Sequence, residues 1–291
     1  MRSQTRRGGK DLFYRATSKV ILAVTMIALH QGSAGIARAA LIEVTLFANL
    51  QYDQTSINAP TTPRSAFFSM GGSFQNPSDF NNGSASFPGG SMNLPVQGTT
   101  FGFQSGLFPS LASLHATFPF GTYTITANNS VTSATDAGII NYAADYFPST
   151  IPAVSGATYL LLHGIDPSQA TTLIFNSHTR GPPTTNGNLV INIYFGSTLN
   201  AVYTTPQLGI ATTSRMIPAN TFQPNQSYVL ELNFTDYIHA TDTLNQTTTW
   251  QGFSVRTYVS FVTGAVPEPG GACCIALCLA GFVRRRQSAN H

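Results

Sequence analysis

From Ala40 onward the apolar residues come in short alternating runs broken by Pro, Gly, Asn and Ser, and no long stretch holds a helical period. That spacing restricts the chain to strands and turns, because an amphipathic helix needs apolar residues three and four apart over about ten residues or more. Thr, Ser, Asn, Gly, Val, Ile, Tyr and Phe dominate and charges are few. A disordered coil is the alternative for so polar a chain, but the regular return of aromatic and β-branched clusters supplies material for a core.

The first strand is expected over Leu41 to Tyr52, where Ile42, Val44, Leu46, Ala48 and Leu50 alternate with Glu43, Thr45, Phe47, Asn49 and Gln51. Ala66 to Phe74 can pair back after a Pro-rich loop; Ser84 to Phe87 and Phe101 to Gln104 follow. Leu114 to Ala127 reads as a hairpin with strands Ser113 to Phe118 and Thr122 to Ala127 around Phe120-Gly121. Pro148 and Pro152 hold an extended boundary segment between Asn141 and Ala153. Seven strands are expected beyond it: Ala157 to Leu162, Thr171 to Asn176, Leu189 to Phe195, Asn200 to Thr204, Ile210 to Met216, Ser227 to Thr235 and Gly252 to Thr263. Seven strands in roughly 110 residues suit an antiparallel immunoglobulin-like sandwich. The expected division is therefore an N-terminal β region over 40–140 and a sandwich over 141–264.

The two ends differ from this body. Arg2, Arg6, Arg7, Lys10, Arg15 and Lys19 precede the apolar run Val20 to Leu29, and Ala37-Arg38-Ala39 has the small-x-small form of a signal-peptidase site. Cleavage is expected between Ala39 and Ala40, so 1–39 is read as a signal peptide. Between Ala40 and Pro269 four arginines against ten acids leave a formal −6, with no lysine. A body of that charge repels phosphate backbones, so nucleic-acid binding is not expected although the whole chain is formally +3. All three cysteines, Cys273, Cys274 and Cys278, lie near the C-terminus, so the body has to be stabilised by packing.

The last segment runs V-P-E-P-G-G-A-C-C-I-A-L-C-L-A-G-F-V-R-R-R. Pro267 and Pro269 keep Val266 to Pro269 extended. An apolar run follows, and Arg284, Arg285 and Arg286 would stay on the cytoplasmic side. The fourteen residues between Pro269 and Arg284 would span roughly 21 Å as a helix, against a hydrocarbon core of about 30 Å, which makes a short anchor. This order resembles the PEP-CTERM sorting signal of bacterial envelope proteins, over Val266, Pro267, Glu268, Pro269, the apolar run and Arg284 to Arg286. The resemblance implies a membrane protease-transpeptidase, an exosortase, that removes the helix and basic tail of 265–291 after transient inner-membrane anchoring.

Phe222-Gln223-Pro224-Asn225-Gln226-Ser227-Tyr228 resembles the tyrosine corner of fibronectin type III and related domains, with Tyr228 as the corner residue. The stretch from Phe118 to Thr263 is also similar to uncharacterised β modules that precede this sorting signal, which implies a fold and no activity. The fold class expected is all-β, an antiparallel sandwich after a smaller β region, with helices only in the signal and tail.

No nucleophile motif, dinucleotide fingerprint, phosphate loop or zinc spacing is present. Asp236, His239 and Asp242 could surround a cation if they share a loop, Ca2+ with Asp236 and Asp242 as ligands if His239 is only a neighbour; a solvated loop tip is the alternative. His163, Asp166 and Ser168 can be read as part of an acid–base set or as ordinary turn hydrogen bonding. Asp145 and Tyr146, with the rings of Trp250 and Tyr258, could form a platform on which a sugar stacks against aromatic faces, or these residues could be core and hairpin partners. The expectation is a non-enzymatic structural or adhesive protein of the envelope or extracellular matrix, processed by signal peptidase and exosortase, with polysaccharide or matrix proteins as partners. A carbohydrate-binding module, calcium-dependent or not, is the alternative.

Overall fold

The alternating run at 41–53 seeds the architecture. The computed structural model describes residues 39–265 apart from Ser197, Leu199 and residues 242–246, and here the run is strand β1 (Leu41–Asp53). Val44, Leu46, Ala48, Leu50 and Tyr52 are buried in a core, as period-two alternation requires. Strand β2 (Ser65–Phe74) pairs with β1 antiparallel on one side. On the other side lies β14 (Thr248–Val262), parallel to β1, in a register running from Glu43 opposite Thr248 to Asp53 opposite Tyr258. The first and last strands of the described chain are therefore neighbours in the middle of a sheet. Strand β13 (Ser227–Thr241) forms a long antiparallel pair with β14, and β10 (Asn186–Phe195) and β11 (Asn200–Thr204) extend that side. Strands β6 (Thr100–Gln104) and β5 (Val96–Gln97) extend the other, giving the order β11-β10-β13-β14-β1-β2-β6-β5.

Two layers cover the inner face of this eight-stranded sheet. The first is a four-stranded sheet, in the order β4 (Gly90–Leu94), β3 (Asn82–Phe87), β7 (Gly121–Asn128) and β8 (Thr135–Tyr142). Its core is rich in rings, with Phe68 stacked on Phe118 at 4.7 Å and Tyr123 and Tyr142 around them. Strand β8 approaches β1 closely because position 138 is glycine: a Cβ there would lie 2.4 Å from Val44 Cγ2. The second layer is the pair β9 (Thr171–Ile174) and β12 (Ser214–Ile217), with a core drawn from β10, β13 and β14. Strand β14 serves both cores, Phe253 and Val255 in the first and Val259 and Phe261 in the second. The body is an all-β, layered sandwich, and its large sheet takes strands from both sides of residue 141.

Two segments depart from the expected strands. Residues 113–117 belong to helix α1 (Leu111–Thr117), with Phe118 as its C-cap, because the Ser110 side chain accepts the Ser113 N–H at 3.2 Å and Ser113 Oγ lies against the Ser110 N–H in return. Residues 157–162 form helix α2 (Gly156–Leu162), started by Ser155, whose hydroxyl accepts the Thr158 N–H at 3.2 Å. Helices are thus present in the body as well as expected at the ends. Strands β4, β5 and β8 were not marked by the sequence, and the strand expected at 210–216 is confined to β12. No helix of the described residues is long and apolar enough to cross a membrane. Ala37, Val266 to Pro269 and Arg284 to Arg286 lie outside the described residues; Ala39 packs against the first core and Ala40 is half-buried ahead of β1.

Candidate functional site

The outer face of the large sheet carries no second layer of described strands, and the register shows what occupies it. Across β13, β14 and β1, one row holds His239, Trp250 and Thr45; the next holds Tyr237, Gly252 and Phe47; then come Thr235, Ser254 and Asn49; Asn233, Arg256 and Gln51; and Glu231, Tyr258 and Asp53. Strand β10 adds Asn186, Asn188 and Asn192 to the second, third and fifth rows. Apolar residues of the same strands point the other way, into the cores.

At one end of this face four rings meet. Phe47 and Tyr237 are edge to face at 6.0 Å, Tyr237 and Trp250 at 5.9 Å, and His239 is stacked on Trp250 at 5.1 Å. Gly252 makes the cluster possible: the Phe47 ring lies across it, and a Cβ there would come 2.1 Å from Phe47 Cε1. Asn188 Nδ2 donates to the Tyr237 hydroxyl at 3.0 Å, and Asn186 Nδ2 lies 3.1 Å from His239 Nδ1. Phe47, Tyr237 and Trp250 are half-buried, and His239 and Asn186 are exposed.

Farther along, the charges are paired. Arg64 contacts Asp53 at 2.8 Å, donates to Gln51 Oε1 and lies over the Tyr258 ring. Arg256 lies 3.8 Å from Glu231, donates to Asn49 Oδ1 and covers the Phe67 ring. Burial opposes the Arg256 charge, but Glu231 and the neighbouring tyrosines more than offset it and hold its pKa up. Burial, reinforced by Glu231, lifts the Tyr194 and Tyr258 hydroxyls above their usual range, so both remain protonated donors. Tyr194 donates to Glu231 at 3.2 Å.

Glu43, at the edge of the same face, has its pKa raised by burial against a smaller opposing hydrogen bond from Ser73. The folded state therefore holds this proton more tightly than the unfolded chain does. Stability is reduced as pH rises past the unfolded carboxylate value and is recovered below it. Glu43→Gln is expected to raise the melting temperature at neutral pH and to leave it unchanged in acid below the carboxylate range. Thermal melts at the two pH values check this, and an equal shift at both would show that the charge is not the cause.

The expected calcium ligands are not brought together. Asp236 and His239 lie on β13, on opposite faces of the sheet, and Asp242 is outside the described residues. Asp236 is fully buried and its oxygens are engaged: Oδ1 accepts from His178 Nε2 at 2.7 Å, and Oδ2 accepts from the Gly181 N–H at 2.7 Å and the Thr184 hydroxyl at 3.2 Å. Among the described residues no group of three His, Cys, Asp or Glu could hold a metal ion. Sequence reasoning missed His178, which is 58 positions from its partner and carries no local signal.

His163, Asp166 and Ser168 do not form a dyad. His163 Nδ1 contacts the Tyr159 carbonyl at 2.8 Å at the end of α2, while Asp166 accepts from the Ser168 N–H and hydroxyl in a turn. Asp145 accepts from the Tyr142 hydroxyl at 2.5 Å beside His115, and Tyr146 packs on Phe253 in the first core. Neither joins Trp250 and Tyr258, which share the outer face but stand eight residues apart along β14.

No protein-family model matches the chain, and no curated protein does. Solved structures similar to it include a "Biofilm associated protein - BSP domain" (12% identity, TM-score 0.22, covering 78% of this chain and 30% of that one). The FN1–FN3 domains of chicken CNTN1 align at 9% identity with TM-score 0.26, over 77% of this chain and 66% of that one. A trypsin-activated alpha-2-macroglobulin from Escherichia coli aligns at 9% identity with TM-score 0.24, over 76% of this chain and 16% of that one. The chain spans less than two thirds of the length of each.

Proposed function

We propose that the chain is an exported envelope or extracellular-matrix protein, sorted and processed at its PEP-CTERM-like tail, whose folded body is a structural or adhesive scaffold without catalytic activity. The observation that supports this most is the parallel pairing of β1 with β14. It puts the start of β1 and the end of β14 at opposite ends of one sheet, so cutting before Ala40 and after Pro269 takes no strand from the sheet and only Ala39 from the rim of the first core. Signal peptidase and an exosortase-type enzyme are the processing partners in this reading.

The second half of the body is read as an immunoglobulin-like module. The order β11-β10-β13-β14 facing β9 and β12 corresponds to strands C′, C, F and G over B and E of such domains. Tyr228 supports the same reading: it is 1% exposed, and its hydroxyl accepts the Gln223 N–H at 2.8 Å, as a tyrosine corner requires.

The test is the intact mass of the protein recovered from the envelope and medium of its native host. The expected mass lacks the first 39 residues and everything after the Pro-Glu-Pro segment. A mass that still includes Cys273 to His291 would overturn the processing.

A further inference from the structure

We propose that the ring cluster of Phe47, Tyr237, Trp250 and His239, with Asn186 and Asn188 beside it, binds a neutral polysaccharide. The inference rests on the export reading only for where such a polymer is met; the chemistry is that of the corner itself. The rings are fixed by one another at 5.1 to 6.0 Å and are half-buried, with His239 exposed, at the accessible end of a face whose middle row of Thr235, Ser254 and Asn49 is buried. Fixed, half-exposed rings suit the flat C–H faces of pyranoses, which gain contact area there without ordering a flexible side chain. The amide of Asn186 uses one N–H inside the cluster, which leaves a second N–H and a carbonyl oxygen for sugar hydroxyls.

Charge selects against other polymers. Asn186, Asn188, Thr45 and the three aromatic residues carry no charge. The arginines of the same face are each beside an acid, Arg64 with Asp53 and Arg256 with Glu231. Nothing here attracts a uronic-acid or phosphate chain, and the net negative body repels one. Aromatic rings also anchor protein interfaces, so self-association is the competing occupant, tested by sedimentation; the four most exposed large apolar residues among those described, Val131, Leu160, Ile139 and Met216, lie on other elements.

The chain contains one tryptophan, so its emission reports on this corner alone. The purified full-length chain is run in affinity gels containing a β-1,4-glucan, an α-1,4-glucan, a xylan or a galactomannan, with alginate as the anionic comparison. The retarding polymer is then titrated against tryptophan fluorescence. Retardation by at least one neutral polymer is expected, insensitive to salt and accompanied by a change in emission. Trp250→Ala should weaken it by about tenfold or more while Trp250→Tyr keeps most of it. Both variants should melt close to the parent; if Trp250→Ala does not fold, Asn186→Ala takes its place and should also weaken binding. Absence of retardation in every neutral gel, retardation indifferent to these variants, retardation only by alginate, or a dimer in sedimentation that Trp250→Ala dissolves would each overturn the proposal. A retained tail in the mass measurement would not touch this result, so the two readings fail separately.

Discussion

Asp236→Ala is expected to destabilise the fold by about 3–5 kcal/mol, because it leaves buried donors without their acceptor, each at a cost of about 1–3 kcal/mol. For a body of this size that lowers the melting temperature by roughly 10 °C. The carboxylate gathers His178 Nε2, the Gly181 N–H and the Thr184 hydroxyl, the last of which also has the Gly181 carbonyl as an acceptor, so the first two depend on Asp236. His178 is fully buried, stacked on Phe234 at 4.9 Å, and its Nδ1 already lacks a partner. Losing the carboxylate would leave both ring nitrogens buried and unpaired. Asp236→Asn should cost less, because the amide carbonyl can still accept from Gly181 and its NH2 can donate to Nε2 once the imidazole proton moves to Nδ1. Denaturant titration of the three proteins checks the order parent, Asn, Ala. A loss in the alanine variant no larger than that of an ordinary surface change, about 0.5 kcal/mol, would show that the pair carries no such weight.

A fragment of residues 141–264, cut where composition suggests a boundary, is expected to aggregate or self-associate while the full chain does not. Eleven register pairs join β1 to β14, from Glu43–Thr248 to Asp53–Tyr258. Without β1, that side of β14 becomes a long unprotected edge, and Phe253 and Val255 lose the first core. Sedimentation of the two proteins at equal concentration measures the difference. A monomeric fragment with a cooperative melt would mean that the second half folds by itself and that β1 only docks onto it.

The strands that alternate an apolar face with a polar one were legible: β1, β2, β10, β13 and β14 all lie over their expected segments, and the last two run longer at their shared turn, where the outer positions are Tyr237, His239 and Thr241 on β13 and Thr248 and Trp250 on β14. Strand β8 was not legible, because Gly138 fills an inward position where an aliphatic residue would have signalled the pattern. Each short helix spans two turns, too few for a period to show, and only the serines at 110 and 155 announced them. Pairing across two hundred residues leaves no local trace either. Trp250 could be singled out as an exposed ring, but Phe47 and Tyr237 join it through register with two other strands, so its neighbours were not readable. The supposed cation loop failed for the same reason: β13 continues through Asp236 and His239, and a strand sends residues three apart to opposite faces.

The central place of β14 has a mechanical meaning. Trp250 is near its start and the chain leaves past Val262, twelve residues on, about 40 Å away at strand rise. Tension entering at the ring cluster and leaving through the C-terminal segment would run along this one strand. Its ladders to β1 and β13 lie across the pull, so they would be loaded together in shear instead of opening one bond at a time. Resistance of that kind is set by an unfolding rate and not by equilibrium stability, so single-molecule pulling from the C-terminal end should find this path stiffer than one that peels β5 or β11 from the sheet edges.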